Sequence, residues 1–193
     1  MPNKEKLEAV FGKVIKFLEK YKIPYFIIGG IAAGVLGEPR ATGDVDINIK
    51  LKKNFIKDFL RYADKAGFTF DESEVMQKVK ETGTFKFWYG GFHIDFIISS
   101  TQLEENALKR MCRIKLFGIM ANFPSPEDLL LSKIVSGRAI DIFDAENIAK
   151  RYQGKLDKKY LLDWAMKLSD QAEDLRIYNE VKRLLRQGNI ERL

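Results

Sequence analysis

Apolar residues recur at helical spacing near the start of the chain. Leu7, Val10, Phe11, Val14, Ile15 and Leu18 keep an i, i+3, i+4 rhythm, which predicts an amphipathic helix over residues 4–21. The apolar run Tyr25 to Ile28 ends in Gly29-Gly30 and reads as a short buried strand, and the Ala-rich "GGIAAGVLG" predicts a helix from Gly30. "VDINIK", Val45 to Lys50, alternates apolar and polar positions and predicts a strand. Helical spacing returns in "KNFIKDFLRYADKAG", residues 53–67, where Gly67 is the stop signal. Asp71 to Gly83 reads as a polar stretch. The aromatic-rich runs "TFKFWY" and "FHIDFIIS" flank Gly90-Gly91 and predict a β-hairpin. "TQLEENALKR" predicts a helix, and "RIKLFGIMANF" a second hairpin turning near Phe117-Gly118.

From residue 125 the pattern is helical. Ser125 is a good N-cap, Pro126 suits the first helical position, and acids fill the first turn of "PSPEDLLLSKIVSG". Asp141 to about Gln187 predicts three further helices and no strand. The expected fold class is α/β (α+β): a small mixed β-sheet flanked by helices over residues 1–124, with a helical C-terminal portion, residues 125–193, packed on it.

Composition narrows the function classes. The chain of 193 residues is 46% hydrophobic, enough for one domain with a real core. No apolar run approaches the roughly 20 residues of a membrane span, and the N-terminal segment lacks the solid apolar block of a signal peptide. A single cysteine, Cys112, excludes an intramolecular disulfide. A cytoplasmic protein with no membrane partner is expected. A net charge of +6 permits a polyanionic partner such as RNA or a nucleotide, but the Lys/Arg pairs are spread among acids, as on a solvated surface.

One strand carries an unusual load. In "RATGDVDINI", Arg40 to Ile49, the period of two turns Asp44 and Asp46 to one face and Val45, Ile47 and Ile49 to the other. Like charges held this close repel, and a divalent cation such as Mg²⁺ or Mn²⁺, which prefers oxygen ligands, would neutralise them. Asp95 in "FHIDFII" lies opposite its apolar neighbours on another strand; if the two strands are adjacent, three carboxylates converge, a donor set suited to phosphoryl transfer. Gly29-Gly30, between a strand and a helix, offers free N–H groups and room for a phosphate, although a tight turn explains such a pair as well.

Gly-Gly followed after fourteen residues by Asp-x-Asp, then a distant strand aspartate, resembles the nucleotidyltransferase superfamily related to DNA polymerase β. "SPEDLLLSKIVSGRAIDIFDAENI" looks like the Lys…Arg…Asp…Asp helical motif of its AbiEii-type branch, which contains many toxin-like enzymes. The resemblance covers roughly residues 24–150. It implies the nucleotidyltransferase fold, with Asp44, Asp46 and Asp95 as catalytic and metal-holding residues and Gly29, Gly30, Arg40, Thr42, Lys133 and Asp141 as nucleotide-binding ones. Asp95 would help deprotonate the acceptor hydroxyl, Lys133 would face phosphate, and Asp144 is the lesser of the two helical acids. The cofactor would be Mg²⁺ or Mn²⁺, the substrate an NTP, and the acceptor a hydroxyl of RNA or tRNA, a protein or a small molecule. An antitoxin partner is implied if the chain is a toxin.

On an unbroken helix Lys133, Gly137, Asp141 and Asp144 fall within about 80° of one stripe, with Arg138 off it and free to brace either acid; a break at Gly137 would move both acids. His93 shares a strand face with Asp95 and reads first as a packing or hydrogen-bonding residue, with contact to metal-bound water or substrate as the alternative. Phe85, Phe87, Trp88 and Tyr89 read as hairpin core, with base stacking as the alternative, and Trp164 as core. Two other readings of the whole chain remain: a catalytically silent nucleotide- or partner-binding module, and an antitoxin-like structural partner that assembles through its helices.

Overall fold

The computed structural model describes residues 6–190, excepting the side chains of Lys53 and of residues 187–190. These fall into two compact units, one made of the chain up to Ile31 with Ala41–Phe123, the other of Ala32–Arg40 with the chain from Pro124 on.

In the first unit, α1 (Leu7–Lys20) leads into β1 (Tyr25–Ile27) and the start of α2 (Gly29–Leu36). Lys4 and Glu5, which the sequence pattern includes in the first helix, lie outside the described residues. After β2 (Val45–Ile49), a 3-10 turn at Lys53–Phe55 precedes α3 (Ile56–Lys65) and α4 (Glu72–Glu81). The hairpin β3 (Thr84–Tyr89) and β4 (Phe92–Ile98), then α5 (Gln102–Arg110) and the hairpin β5 (Cys112–Leu116) and β6 (Ile119–Phe123), complete it.

The four-stranded sheet runs β1-β2-β4-β3, with β2 and β4 parallel and the outer pairs antiparallel. Its mixed character is the expected one. One face is apolar: Tyr25, Ile27, Ile47, Ile94, Phe87 and Phe96 are all fully buried. Phe59 of α3 sits over it, with its ring 5.7 Å from Phe87 and 5.8 Å from Phe96, and Phe17 of α1 packs on Phe59 at 5.3 Å. Burying each such ring contributes about 1.5–3 kcal/mol, and edge-to-face pairing adds about 0.5–1.5 kcal/mol. The polar residues of the same strands, Asp46, Asn48, Asp95 and Lys86, therefore share the other face.

The stretch Asp71–Gly83 forms α4 and is not the featureless polar run that its composition suggests. Asp71 accepts a hydrogen bond from the Glu74 N–H at 2.9 Å as N-cap, and Val75 and Val79, one helical turn apart, are its buried positions. The other boundaries differ from expectation by one to three residues, as where α2 begins at Gly29 in place of Gly30 and α3 at Ile56 after the 3-10 turn.

The second unit holds the C-terminal part of α2 with α6 (Pro126–Ser136), α7 (Ala139–Arg151), α8 (Lys158–Ala172) and α9 (Arg176–Ile190), all helix as the sequence predicts. Ser125 caps α6, accepting from the Asp128 N–H at 3.1 Å. Helix α6 stops at Gly137, whose φ of 68° is left-handed, so the Lys133–Asp144 stripe does not lie on one continuous helix. Among the described residues no helix is long and apolar enough to cross a membrane.

Candidate active site

Parallel pairing of β2 and β4 sets Asp46 directly opposite Asp95, and antiparallel pairing of β4 and β3 sets Asp95 opposite Lys86. The three side chains form a row across the polar face, one strand spacing apart (about 4.8 Å). Two carboxylates this close repel, and the row supplies a counter-charge: Lys86 Nζ lies 3.1 Å from Asp95 Oδ1. Lys86 escapes a motif-based reading, yet the Gly90-Gly91 turn alone fixes it, because counting outward from Tyr89 opposite Phe92 brings residue 86 to residue 95.

Asp44 stands half-buried one residue before β2. Among the described residues no group of three or more His, Cys, Asp or Glu is gathered to hold a metal ion; the pairing register joins Asp46 to Asp95. The chemistry of the donor set fits a divalent cation. These are hard carboxylate oxygens on neighbouring strands, set side by side by the register.

Gly29 opens α2 with φ of 65°, and a Cβ built on it would fall 1.8 Å from Asp46 Oδ2. The bare glycine thus makes room for the Asp46 carboxylate, whose backbone C=O also accepts from the Ile28 N–H at 2.9 Å. A carboxylate at a helix N-terminus is favoured by the unpaired N–H groups and the helix dipole there. Gly30 follows as a buried residue in the first turn of α2, and Thr42 is half-buried in the segment before β2.

Beyond the acid row the polar face is closed by structure. Asn48, also unread in the sequence, is buried; it donates to Glu104 Oε1 at 3.1 Å and accepts from the Ser99 hydroxyl. Glu104 in turn completes the capping box of α5 with Thr101. At the other end His93 lies against Trp88, ring centroids 3.6 Å apart, with its Nδ1 buried and without a hydrogen-bond partner among the described residues. Phe85 and Phe87 are core, while Trp88 is 45% exposed.

In the helical unit the left-handed turn at Gly137 brings α7 back beside α6, so Lys133 reaches both acids despite the break. Lys133 Nζ donates to Asp141 Oδ1 at 2.6 Å and to Asp144 Oδ2 at 2.8 Å. Arg40 grips Asp144 in a two-pronged contact through Nε and Nη2 at 3.1 and 3.2 Å. Asp141 also accepts from Ser136 Oγ at 2.7 Å and from Arg138 Nε, the brace that the sequence allows. Lys133, Asp141 and Asp144 are at most 5% exposed, whereas Arg40 is 30% exposed and Arg138 73%. Burial alone would push the Asp141 carboxyl up, but the hydrogen bonds from Arg138, Lys133 and Ser136 and the Lys133 charge outweigh it and hold the group at about 2.

Residues 5–187 match a family described as "Nucleotidyltransferase of unknown function (DUF6036)". The chain belongs to this nucleotidyltransferase family. Among solved structures, the antibiotic-resistance factor ANT(2'')-Ia is 10% identical, with 86% of this chain and 95% of that one covered at a TM-score of 0.58. The lincosamide antibiotic adenylyltransferase LnuA is 15% identical, covering 76% of this chain and 97% of that one at a TM-score of 0.50. Both likenesses are of fold. No curated protein sequence matches the chain.

Proposed function

We propose that this family member transfers a nucleoside monophosphate from an NTP to an acceptor hydroxyl, with Asp44, Asp46 and Asp95 carrying the chemistry. The observation that carries the reading is the register of Asp46 against Asp95, with Gly29 shaped around the Asp46 carboxylate. The acceptor oxygen attacks the α-phosphorus as its proton passes to Asp95. The bond from the α-phosphorus to the oxygen of the β-phosphate breaks, and pyrophosphate leaves. Lys86 holds the Asp95 carboxylate in place. Mg²⁺ or Mn²⁺ held by Asp44, Asp46 and Asp95 would offset the negative charge that builds up on the phosphates.

Gly29, Gly30 and Thr42 are assigned to the triphosphate. Arg40 is assigned a phosphate contact: its guanidinium is held by Asp144 and stays partly exposed. Lys133 and Asp141 then serve the nucleotide as positioning residues: they fix Asp144, and Asp144 fixes the Arg40 guanidinium. The Lys…Arg…Asp…Asp motif supports an AbiEii-type, toxin-like role with an antitoxin partner, acting on RNA or tRNA, a protein or a small molecule. A second reading, a catalytically silent nucleotide-binding module, draws on the Lys86 ammonium already neutralising Asp95.

Thermal shifts with each NTP and Mg²⁺, followed by pyrophosphate release from labelled NTP, decide between them. Saturating nucleotide at a hundredfold its Kd stabilises the wild-type fold by about 2.7 kcal/mol, several degrees in Tm. Asp46→Asn is expected to keep the fold, lose that shift and lose turnover. Binding without pyrophosphate release favours the silent module, and an Asp46→Asn protein that titrates like wild type removes the assignment.

A further inference from the structure

We propose that Trp88, backed by His93, is a stacking platform for the base of a nucleoside-bearing acceptor, which sets the acceptor's ribose hydroxyl beside Asp95. The inference rests on the nucleotidyl-transfer reading above and adds to it the class of the acceptor.

Trp88 is the most open aromatic residue of its hairpin, where Tyr89 and Phe92 are half-buried. Phe85, Phe87 and Phe96 face the core and are at most 3% exposed, whereas Trp88 is 45% exposed on the polar face. On that face the Trp88–His93 pair is the next step along the strands from the Lys86–Asp95 pair. Two residues of a strand span about 7 Å, a distance a nucleoside bridges between its base and its ribose hydroxyls. A base on the indole thus leaves a hydroxyl at the carboxylate assigned as proton acceptor.

The platform is rigid. β3 is an edge strand of the sheet, yet Trp88 is tied on both sides of its peptide unit to Thr69, which donates to the Trp88 C=O at 2.9 Å and accepts from the Trp88 N–H at 2.8 Å. His93 fills the space against the ring, and its buried Nδ1 has no hydrogen-bond partner among the described residues. Most buried polar atoms in native folds find a partner, so this nitrogen sets the pair apart from ordinary core packing. Stacking on an indole accepts any base, since every base has a π-face. The net charge of +6 attracts a polyanionic strand at long range.

Trp88 and Trp164 are the two tryptophans of the chain, so a Trp164→Phe protein reports on Trp88 fluorescence alone. The probes are adenosine, a six-residue oligoriboadenylate, an abasic oligomer of equal length and Mg–ATP. Saturable quenching by adenosine and by the oligoriboadenylate is expected, with the abasic oligomer far weaker. In a filter-binding assay Trp88→Ala should weaken the oligoriboadenylate roughly ten- to hundredfold, the equivalent of one stacked base, and Trp88→Phe should retain most of the affinity. Equal affinity per base for adenosine and oligomer points to a free nucleoside, and a large advantage for the oligomer to an RNA end; either supports the platform. Unchanged oligomer and adenosine binding in Trp88→Ala overturns it, as does a loss confined to Mg–ATP, which would put the incoming nucleotide on the indole. Failure of wild type to bind Mg–ATP, with the stacking intact, would instead sink the transfer reading alone.

Discussion

Gly29 shows how one missing carbon can decide a site. Its φ of 65° lies in the left-handed region, which costs an L side chain about 1–2 kcal/mol. The Asp46 carboxylate occupies the space where a Cβ would go. Gly29→Ala therefore adds a collision to the backbone strain, and Asp46 is the group that must move. A loss of at least about 2 kcal/mol in a urea melt is expected, together with loss of Mg–NTP binding. Unaltered stability would mean that the helix start relaxes without cost. The sequence already marked both partners, since Gly-Gly and Asp-x-Asp can be read by eye. It could not show that they touch, because the contact depends on β1 lying antiparallel to β2, seventeen residues apart at this point. Lys86 is the opposite case: its place beside Asp95 follows from counting back from a two-residue turn, and only attention to acidic motifs hides it.

At the scale of elements, periodicity read the helices and hairpins well where apolar residues were dense and failed at α4, where two valines carry all the burial. It also could not settle the break at Gly137. A continuous stripe and a broken pair of helices give the same set of partners, because the turn brings Asp141 and Asp144 back to Lys133. That network has a pH signature. Asp141 falls from an ordinary 3.8 to about 2 on folding. A carboxyl depressed in this way contributes stability that is complete above its unfolded value and is lost as pH falls through the folded one. The contribution is about 2 kcal/mol, present above pH 4 to 5 and fading between about 4 and 2. Urea melts of wild type and Asp141→Asn should differ most near pH 6 and converge toward pH 2. A gap that stays constant over this range would show that the carboxylate is not what holds the two helices.

Over the whole molecule, the strands that carry Asp46 and Asp95 could be read from the sequence, and the makeup of the helical unit could not. Ala32–Arg40 joins that unit through Arg40 on Asp144 and Arg151 on the Gly37 C=O, partners 104 and 114 residues apart, and no local pattern carries such pairs. The same distinction between local and assembled properties applies to the proposed reaction. Nucleotide affinity, on this reading, rests on Asp44, Asp46, the Gly29-Gly30 turn and Arg40, so a change at Asp95 should leave most of it. Activation of the acceptor hydroxyl, by contrast, is given to Asp95 alone. Asp95→Asn keeps the shape of the side chain and an oxygen for Lys86 to donate to, while removing the carboxylate that takes the proton. Its effect should therefore fall on the transition state and not on ground-state binding. NTP affinity by calorimetry is expected to stay within about tenfold, equivalent to ~1.4 kcal/mol. Transfer measured as pyrophosphate release should drop by at least the hundredfold that general-base catalysis typically supplies. A native rate in Asp95→Asn would take the proton transfer away from this residue and leave the β3–β4 hairpin as a wall of the site.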